Sequence, residues 1–407
     1  MSSVKYWVWL SALRGLSSAA ISAALAEVGS PMEVFYAPAG RFGNVENITD
    51  REASLLDNKD MLPTELILNR CREKGIRILT LQDADYPHRL KQIYDPPAVL
   101  YVRGTLPEMD ETPVIGIVGT RKCTVYGEKT ARNLGYQIAS GGGIVTTGLA
   151  LGVDGAAARG VLMAGGICVG VLGCAIDAAY PAAHASLIED VAATGCVMSE
   201  FPPGSSVMDF PRRNRIMSGL SCGVCIVEAP ERSGALITAA LALEQGRDLF
   251  AVPGNIDSPC SAGSNRLLRE GARVVLSGAD ILEEYRGAFS VSPRAAVKNS
   301  PYETASPEPE YIPVQNQKKA EKADDPAKSA LDKQGSIAYI DVESRADGCS
   351  ADQLALLKLL SGGVKQADEL IVATGFSAAK TMAELTLLSI RGLVEPLPGK
   401  RYTLKTK

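Results

Sequence analysis

At 407 residues the chain is too long for one ordinary core, and two or three domains are expected. Its 46% hydrophobic and 22% charged residues match a globular protein able to bury a large core. The formal net charge of -4 excludes a wholly basic nucleic-acid binder, so any contact with a polyanion must come from a local patch.

The N-terminus, Met1-Ser-Ser-Val-Lys-Tyr-Trp7, has no basic segment leading into an apolar signal region, and no apolar run of about 18 residues suggests a membrane span. A cytoplasmic, membrane-free protein is expected. From Tyr6 to about Arg77 the pattern is largely helical, with Leu10, Leu13, Leu16, Ile21, Leu25 and Val28 spaced for one apolar face. The turn Ala12-Leu-Arg-Gly15-Leu-Ser17 has the form of a helix-hairpin-helix or SAM-like module, for which packing is favoured over phosphate contact. Residues 1–80 are read as this helical domain.

From Val114 to about Tyr285 short apolar runs alternate with helix-length intervals. The runs are Val114–Val118, Gly143–Thr147, Ile167–Leu172, Cys196–Met198, Val224–Val227, Leu249–Val252 and Arg273–Leu276. Runs without polar alternation suit strands covered on both faces, and the intervals suit βαβ crossovers. The expectation for 81–287 is an α/β, extended Rossmann-like, doubly wound and mostly parallel sheet. Residues 288–350 read as a linker, with Pro307-Glu-Pro-Glu310 and a charged run from Gln317 to Asp325. Residues 351–407 give three short helices and a hairpin from Gly392 to Thr403, a winged-helix pattern. The candidate recognition helix of that module, Ser377 to Ile390, offers only Lys380 against Glu384, and Lys400 and Arg401 form the basic pair of the wing. A protein-interaction or auxiliary role is favoured over reading of duplex sequence.

Two histidines, His88 and His184, make a multi-histidine metal site or a histidine-centred triad a poor expectation. The nine cysteines are scattered; Cys222-Gly-Val-Cys225 is a formal C-x-x-C, but it sits in an apolar run and packing is favoured. No P-loop and no G-x-G-x-x-G follows the first strand, so no cofactor is expected. That strand leads instead into Gly119-Thr120-Arg121, a tight turn near a helix predicted over about 127–139, whose positive end would make an anion site. Further turns carry Gly148-Leu-Ala-Leu-Gly152-Val-Asp154, Phe210-Pro-Arg212-Arg213-Asn214-Arg215, Ser233-Gly234 and Pro253-Gly254. In an open parallel sheet, turns after successive strands gather at one edge, where ligands bind. Arginines beside a phenylalanine combine phosphate clamps with a stacking surface.

These blocks, with Tyr180-Pro181, Ser199-Glu-Phe-Pro-Pro-Gly204, Phe210 to Ser221, Glu228-Ala229 and Ser233-Gly-Ala-Leu-Ile-Thr238-Ala, occur in the order found in the DprA/Smf family, which the chain resembles strongly over roughly 80–285. The resemblance implies a homodimeric protein without catalytic activity that binds single-stranded DNA and helps load RecA recombinase onto it, notably in natural transformation. It also implies DNA-lining roles for Arg121, Phe210, Arg213 and Arg215. The resulting expectation places phosphates against N–H groups near Gly119 and Gly148, neutralised by Arg121, Arg213 and Arg215, with Phe210 stacked on a base. Thr120, Arg212, Asn214, Ser233 and Gly234 complete the expected contact set. Two departures bear on it. Ala157-Ala158 stands where the family has Ala-His, and Ala182-Ala183 stands where relatives often carry Lys or Asn; both thin the expected polar lining. The alternative functions are a Rossmann-type nucleotide-processing hydrolase and a nucleotide-sensing regulator. The hydrolase turn P-G-G-x-G-T is not reproduced by Pro253-Gly254-Asn255.

Overall fold

A computed structural model describes residues 3–289, 350–361, 363–391, 393–397 and 401–404. The expected linker beyond Phe289, Cys349 and Lys400 lie outside the described residues. Contacts divide the chain into two units, residues 1–310 and 311–407.

The first unit is built on a nine-stranded sheet. Its strands are β1 (Arg77–Thr80), β2 (Val99–Gly104), β3 (Val114–Val118), β4 (Ile144–Thr147), β5 (Ile167–Leu172), β6 (Cys196–Ser199), β7 (Gly223–Ile226), β8 (Asp248–Ala251) and β9 (Arg273–Val274). They lie in the order β1-β2-β6-β5-β4-β3-β7-β8-β9. From β6 through β9 every pairing is parallel. β2 runs antiparallel to β6, and β1 antiparallel to β2. The apolar runs read as strands therefore form the parallel part, while β1 and β2 extend it at one edge.

The first 80 residues form helices α1 (Val4–Ala12), α2 (Ser18–Val28), α3 (Pro31–Tyr36), α4 (Asp50–Leu56) and α5 (Leu62–Glu73) and then β1. They share one continuous core with the sheet, running from Trp7 and Trp9 to Tyr101, Ile115 and Tyr285. The Gly15 turn is structural: Gly15 adopts φ +95°, Leu16 is buried, and Ser17 caps α2.

Glu52 ties α2 to α4. It accepts from the Ser17 N–H at 3.0 Å and closes a capping box with Thr49. Hydrogen bonding from Ser17, then from Thr49, holds its carboxyl at about 2 against the opposing effect of burial, below the ordinary 4.5. A depressed folded pKa gives stability that is complete above pH 4.5 and lost as pH falls towards 2. Glu52→Gln is accordingly expected to lower stability at pH 7 by about 1–3 kcal/mol. Urea titrations of both proteins should show that gap closing progressively below pH 4.5.

Helices cover both faces of the sheet. Alternation along β3 shows how: Ile115 and Ile117 enter one apolar cluster, Val114 and Val118 the other. The short helix α6 (His88–Lys91) sends Leu90 into the second cluster. The first cluster holds α7 (Val125–Ser140), α8 (Val153–Met163) and α9 (Ala185–Thr194); the second holds α10 (Phe210–Leu220), α11 (Gly234–Glu244) and α12 (Ala262–Arg269). Ile281 of α13 (Gly278–Glu283) closes the first. α7 and α8 lie close because glycines face backbone: a side chain at Gly135 would strike the Ala157 carbonyl, and one at Gly160 the Arg132 carbonyl. Ala158 is fully buried in this packing. Alanine in place of the family's histidine therefore alters the interior of the first cluster, which corrects the expectation that it thins the groove.

The second unit contains α14 (Ala351–Leu360), β10 (Lys365–Gln366), α15 (Ala367–Thr374), α16 (Ala378–Ile390), β11 (Val394–Leu397) and β12 (Arg401–Leu404). The strands order as β10-β12-β11, and Leu356, Leu360, Leu370, Leu385, Leu388 and Val394 form a separate core. On α16, Lys380 pairs with Asp352 at 2.7 Å, and Glu384 accepts from Gln353 at 2.8 Å. The two charges that the candidate recognition helix offers are thus engaged within the module.

Candidate nucleic-acid interface

In the parallel sheet the strand order reverses beside β3. The chain goes from β3 through α7 to β4 on one side, while β7, through α11, leads to β8 on the other. A crevice forms at the carboxyl ends of strands flanking such a reversal. It holds a cavity of about 640 Å³ lined by the turn after β3 (Gly119, Thr120, Arg121, Lys122), the start of α10 (Phe210, Pro211, Arg213, Asn214, Met217), the turn after β7 (Pro230, Arg232, Ser233) and the first turns of α11 (Gly234, Ala235, Ile237, Thr238). Its charged lining is Arg121, Lys122, Arg213 and Arg232 against a single carboxylate, Asp154. In a chain of formal charge -4 this is a local cationic patch. A smaller cleft shares Arg121, Ala150 and Phe210 with the cavity and reaches Gly148, Tyr180 and Pro181.

The residues singled out from sequence divide sharply in this setting. Arg121 is exposed, its guanidinium 4.8 Å from the Phe210 ring centroid. Phe210 is half-buried and lies 5.2 Å from the ring of Tyr180, a residue 38% exposed. Phe210 is therefore already in contact with two planar groups, and Tyr180 is the more outward aromatic. Thr120 closes the first turn by accepting from the Lys122 N–H at 3.2 Å, while its own N–H donates to the Glu228 carbonyl at 2.8 Å.

The other arginines are committed to protein partners. Arg213 is buried and donates to the Val171 carbonyl at 2.6 Å. A side chain at Gly148 would collide with this guanidinium, so the glycine is there to let Arg213 pass. Arg215 is also buried, with Nη2 2.7 Å from Glu200 and Nε 3.0 Å from Asp95. Arg212 is exposed, yet it grips the same Glu200 through Nε at 2.9 Å and Nη2 at 2.8 Å. Arg212 and Arg215 stand three apart on α10, share a face, and so reach one carboxylate. The expectation that Arg215 meets phosphate is corrected: its guanidinium sits in an ion pair beneath the surface. Asn214, half-buried, lines the cavity.

Two expected donor sets are occupied as well. The α7 N-terminus faces Glu228, whose carboxylate accepts from the Thr124 N–H at 2.8 Å and the Thr124 hydroxyl at 2.6 Å. Glu228 is buried, and its carboxylate stands where an anion would sit at that helix end. The Gly148 N–H donates to Asp154 at 3.1 Å, and Asp154 also draws hydrogen bonds from the backbone at Gly119 and Ala150. Burial pushes the Asp154 carboxyl up and the Arg213 guanidinium down, while each charge pulls the other back. The N–H groups at Gly119 and Gly148 therefore serve Asp154, correcting their assignment to phosphate.

The open helix end belongs to α11. Ser233 caps it, its hydroxyl accepting from the Ala235 N–H, and the space around Gly234 is clear. Lys122, Arg232, Thr238 and Tyr180 were not singled out from sequence as ligand contacts. For Lys122 and Arg232 the readable signal is a cation flanking a strand-to-helix turn; for Thr238 and Tyr180 it is their place in the ordered family blocks.

Comparison with known proteins agrees with this architecture. Residues 77–286 match the family model for DNA recombination-mediator protein A, and 343–400 match the DprA winged helix domain. DNA processing protein DprA of Bacillus subtilis is 41% identical over 220 residues, spanning 54% of this chain and 74% of that protein. Protein Smf of Synechocystis sp. is 32% identical over 356 residues, 82% of each. The X-ray structure of DNA processing protein A from Streptococcus pneumoniae superposes with a TM-score of 0.56 at 30% identity, covering 69% of this chain and 97% of that one. With the doubly wound core and the C-terminal winged helix in the same order, the chain belongs to the DprA/Smf family of DNA recombination-mediator proteins.

Proposed function

We propose that this recombination mediator binds single-stranded DNA with little sequence preference in the crevice beside β3, without bond chemistry. The observation that carries the reading is the convergence of Arg121, Lys122 and Arg232, all exposed, on one cavity of an otherwise acidic chain. Phosphates lie against these cations and the open end of α11, and an unpaired base stacks on Tyr180 or on the outer face of Arg121. Phosphates carry no base code, so sequence matters little. Arg213, Arg215 and Gly148 act beneath the surface, holding α10 and the turn after β4. Glu228, fixed at the start of α7, is unsuited to act on a nucleotide.

The test is a titration of fluorescent oligothymidylate over a range of salt. With three exposed cations, the log–log slope of affinity against salt should be roughly -2, at about -0.7 per neutralised phosphate. A duplex of equal length should compete poorly, and a slope near zero would remove the cationic cavity from the account.

The same reading assigns the chain a homodimer and RecA as a protein partner. In support of the dimer, α11 is apolar over most of its surface. Thr238, Ala239 and Ala242 are buried, but Ile237 and Leu243 are 47% and 59% exposed. Pairing two copies over this face would place two cavities on one strand and raise avidity. Leu243→Asp is expected to halve the mass measured by light scattering at micromolar concentration.

A further inference from the structure

We propose that the cavity contains a seat for a phosphate monoester, the terminal phosphate of a strand or the phosphate of a free nucleotide, formed by the first turns of α11 with Thr238 and the cations of the two flanking turns. The proposal deepens the DNA-binding reading and rests on it.

α11 runs for 11 residues from Gly234. Of its first N–H groups, that of Ala235 is taken by the Ser233 hydroxyl and that of Leu236 by the Ser233 carbonyl. The Gly234 N–H has no acceptor among the described residues, and nothing crowds the space beside its α-carbon. Such a helix end favours an anion, but it does not define a site by itself.

The second observation lies deeper. Thr238 is fully buried, lines the cavity, and its hydroxyl has no hydrogen-bond partner among the described residues. Arg213, 5% exposed, lines the same cavity with Nε likewise unpartnered. Buried polar groups are nearly always paired, and an orphaned hydroxyl costs about 1–3 kcal/mol. Two orphaned donors on residues lining the cavity onto which the open helix end also faces mark a place built for acceptors that a ligand brings.

Charge selects the ligand class. A phosphodiester carries one negative charge, whereas a phosphate monoester carries about -1.5 to -2 near pH 7 and has three free acceptor oxygens. Where a strand ends in the cavity rather than running through it, the same Arg121, Lys122 and Arg232 that otherwise meet successive diesters meet one dianion. The Thr238 hydroxyl and the Gly234 N–H supply uncharged donors for the remaining oxygens.

The experiment uses the full chain and thymidine oligomers of one length ending in a 5′-phosphate, a 3′-phosphate or hydroxyls only, beside a circular single strand. Thymidine monophosphate binding is followed by its phosphorus resonance, with excess thymidine as a competitor that should leave the shift in place. A strand-end ligand gives roughly tenfold tighter binding for one phosphorylated oligomer, the worth of about one charge-assisted hydrogen bond. Thr238→Val should cut that advantage below about twofold, since it removes a hydroxyl at nearly constant shape. A free-nucleotide ligand gives equal oligomer affinities and a shifted monophosphate resonance, lost in Thr238→Val. Equal oligomer affinities with an unshifted resonance overturn the seat, and the wild type alone decides this whether or not the variant folds. If the circular strand binds in that case, the groove reading survives alone; if only phosphorylated ends bind and the circle does not, the seat stands and the groove reading fails.

Discussion

Arg215→Ala is expected to lower stability by about 3–5 kcal/mol, the usual cost of removing one partner from a buried ion pair. Arg215 and Glu200 are 8% and 9% exposed at their side chains, and Asp95 adds a second carboxylate at 3.0 Å from Nε. Deleting the guanidinium leaves Glu200, in poor solvent contact, with Arg212 alone, and half-buried Asp95 without this partner. The midpoint of thermal unfolding should fall by on the order of 10 °C. A double-mutant cycle with Glu200→Gln should show strong coupling, because each single change strands the other charge. Were Arg215 a phosphate ligand, its alanine variant would melt like the wild type and fail only in DNA binding.

Arg121→Ala is expected to do the reverse. Arg121 is exposed and its described contact is the ring of Phe210, so stability should change by less than about 1 kcal/mol. The loss in affinity for single strands should be roughly 10- to 100-fold, from one charge-assisted contact worth about 1.5–3 kcal/mol. The salt slope should become shallower by about 0.7 as one phosphate goes unneutralised. Arg121→Lys keeps the charge but loses the planar fork and the stacking on Phe210, so it should fall between the two. Fluorescence anisotropy on folded protein measures all three.

The contrast between these arginines also shows where sequence reading succeeds. β3 to β8 are legible because strands buried on both faces appear as unbroken apolar runs, and their boundaries in the structure differ by a residue or so. The turn Gly119-Thr120-Arg121 is legible for a related reason: a strand that ends in glycine at the sheet's carboxyl edge sets the next residues near a ligand. The antiparallel addition of β1 and β2 is not, since pairing with β6 depends on residues nearly 100 positions away.

Arg212-Arg213-Asn214-Arg215 misleads because charge in a run reads as solvated surface. On a helix, neighbouring positions point in different directions, so Arg213 enters the sheet while Arg212 and Arg215 turn together to Glu200. The carboxylates that absorb them, Glu200 and Asp95, sit in segments far apart in sequence. Likewise the α7 N-terminus has the geometry of a phosphate site, and only the fold brings Glu228 into it. Thr238 belongs to a family block, yet its hydroxyl, set in an apolar helix, becomes a candidate contact only once its missing partner is seen.

An unpaired strand bound at the carboxyl edge of the sheet would lie over Arg121 and the first turn of α11. Hydrogen–deuterium exchange of the full chain with and without saturating oligothymidylate tests that placement most directly. The account predicts slowed exchange in 119–124 and 233–238. Protection confined to 351–404, with those two turns unchanged, would contradict it.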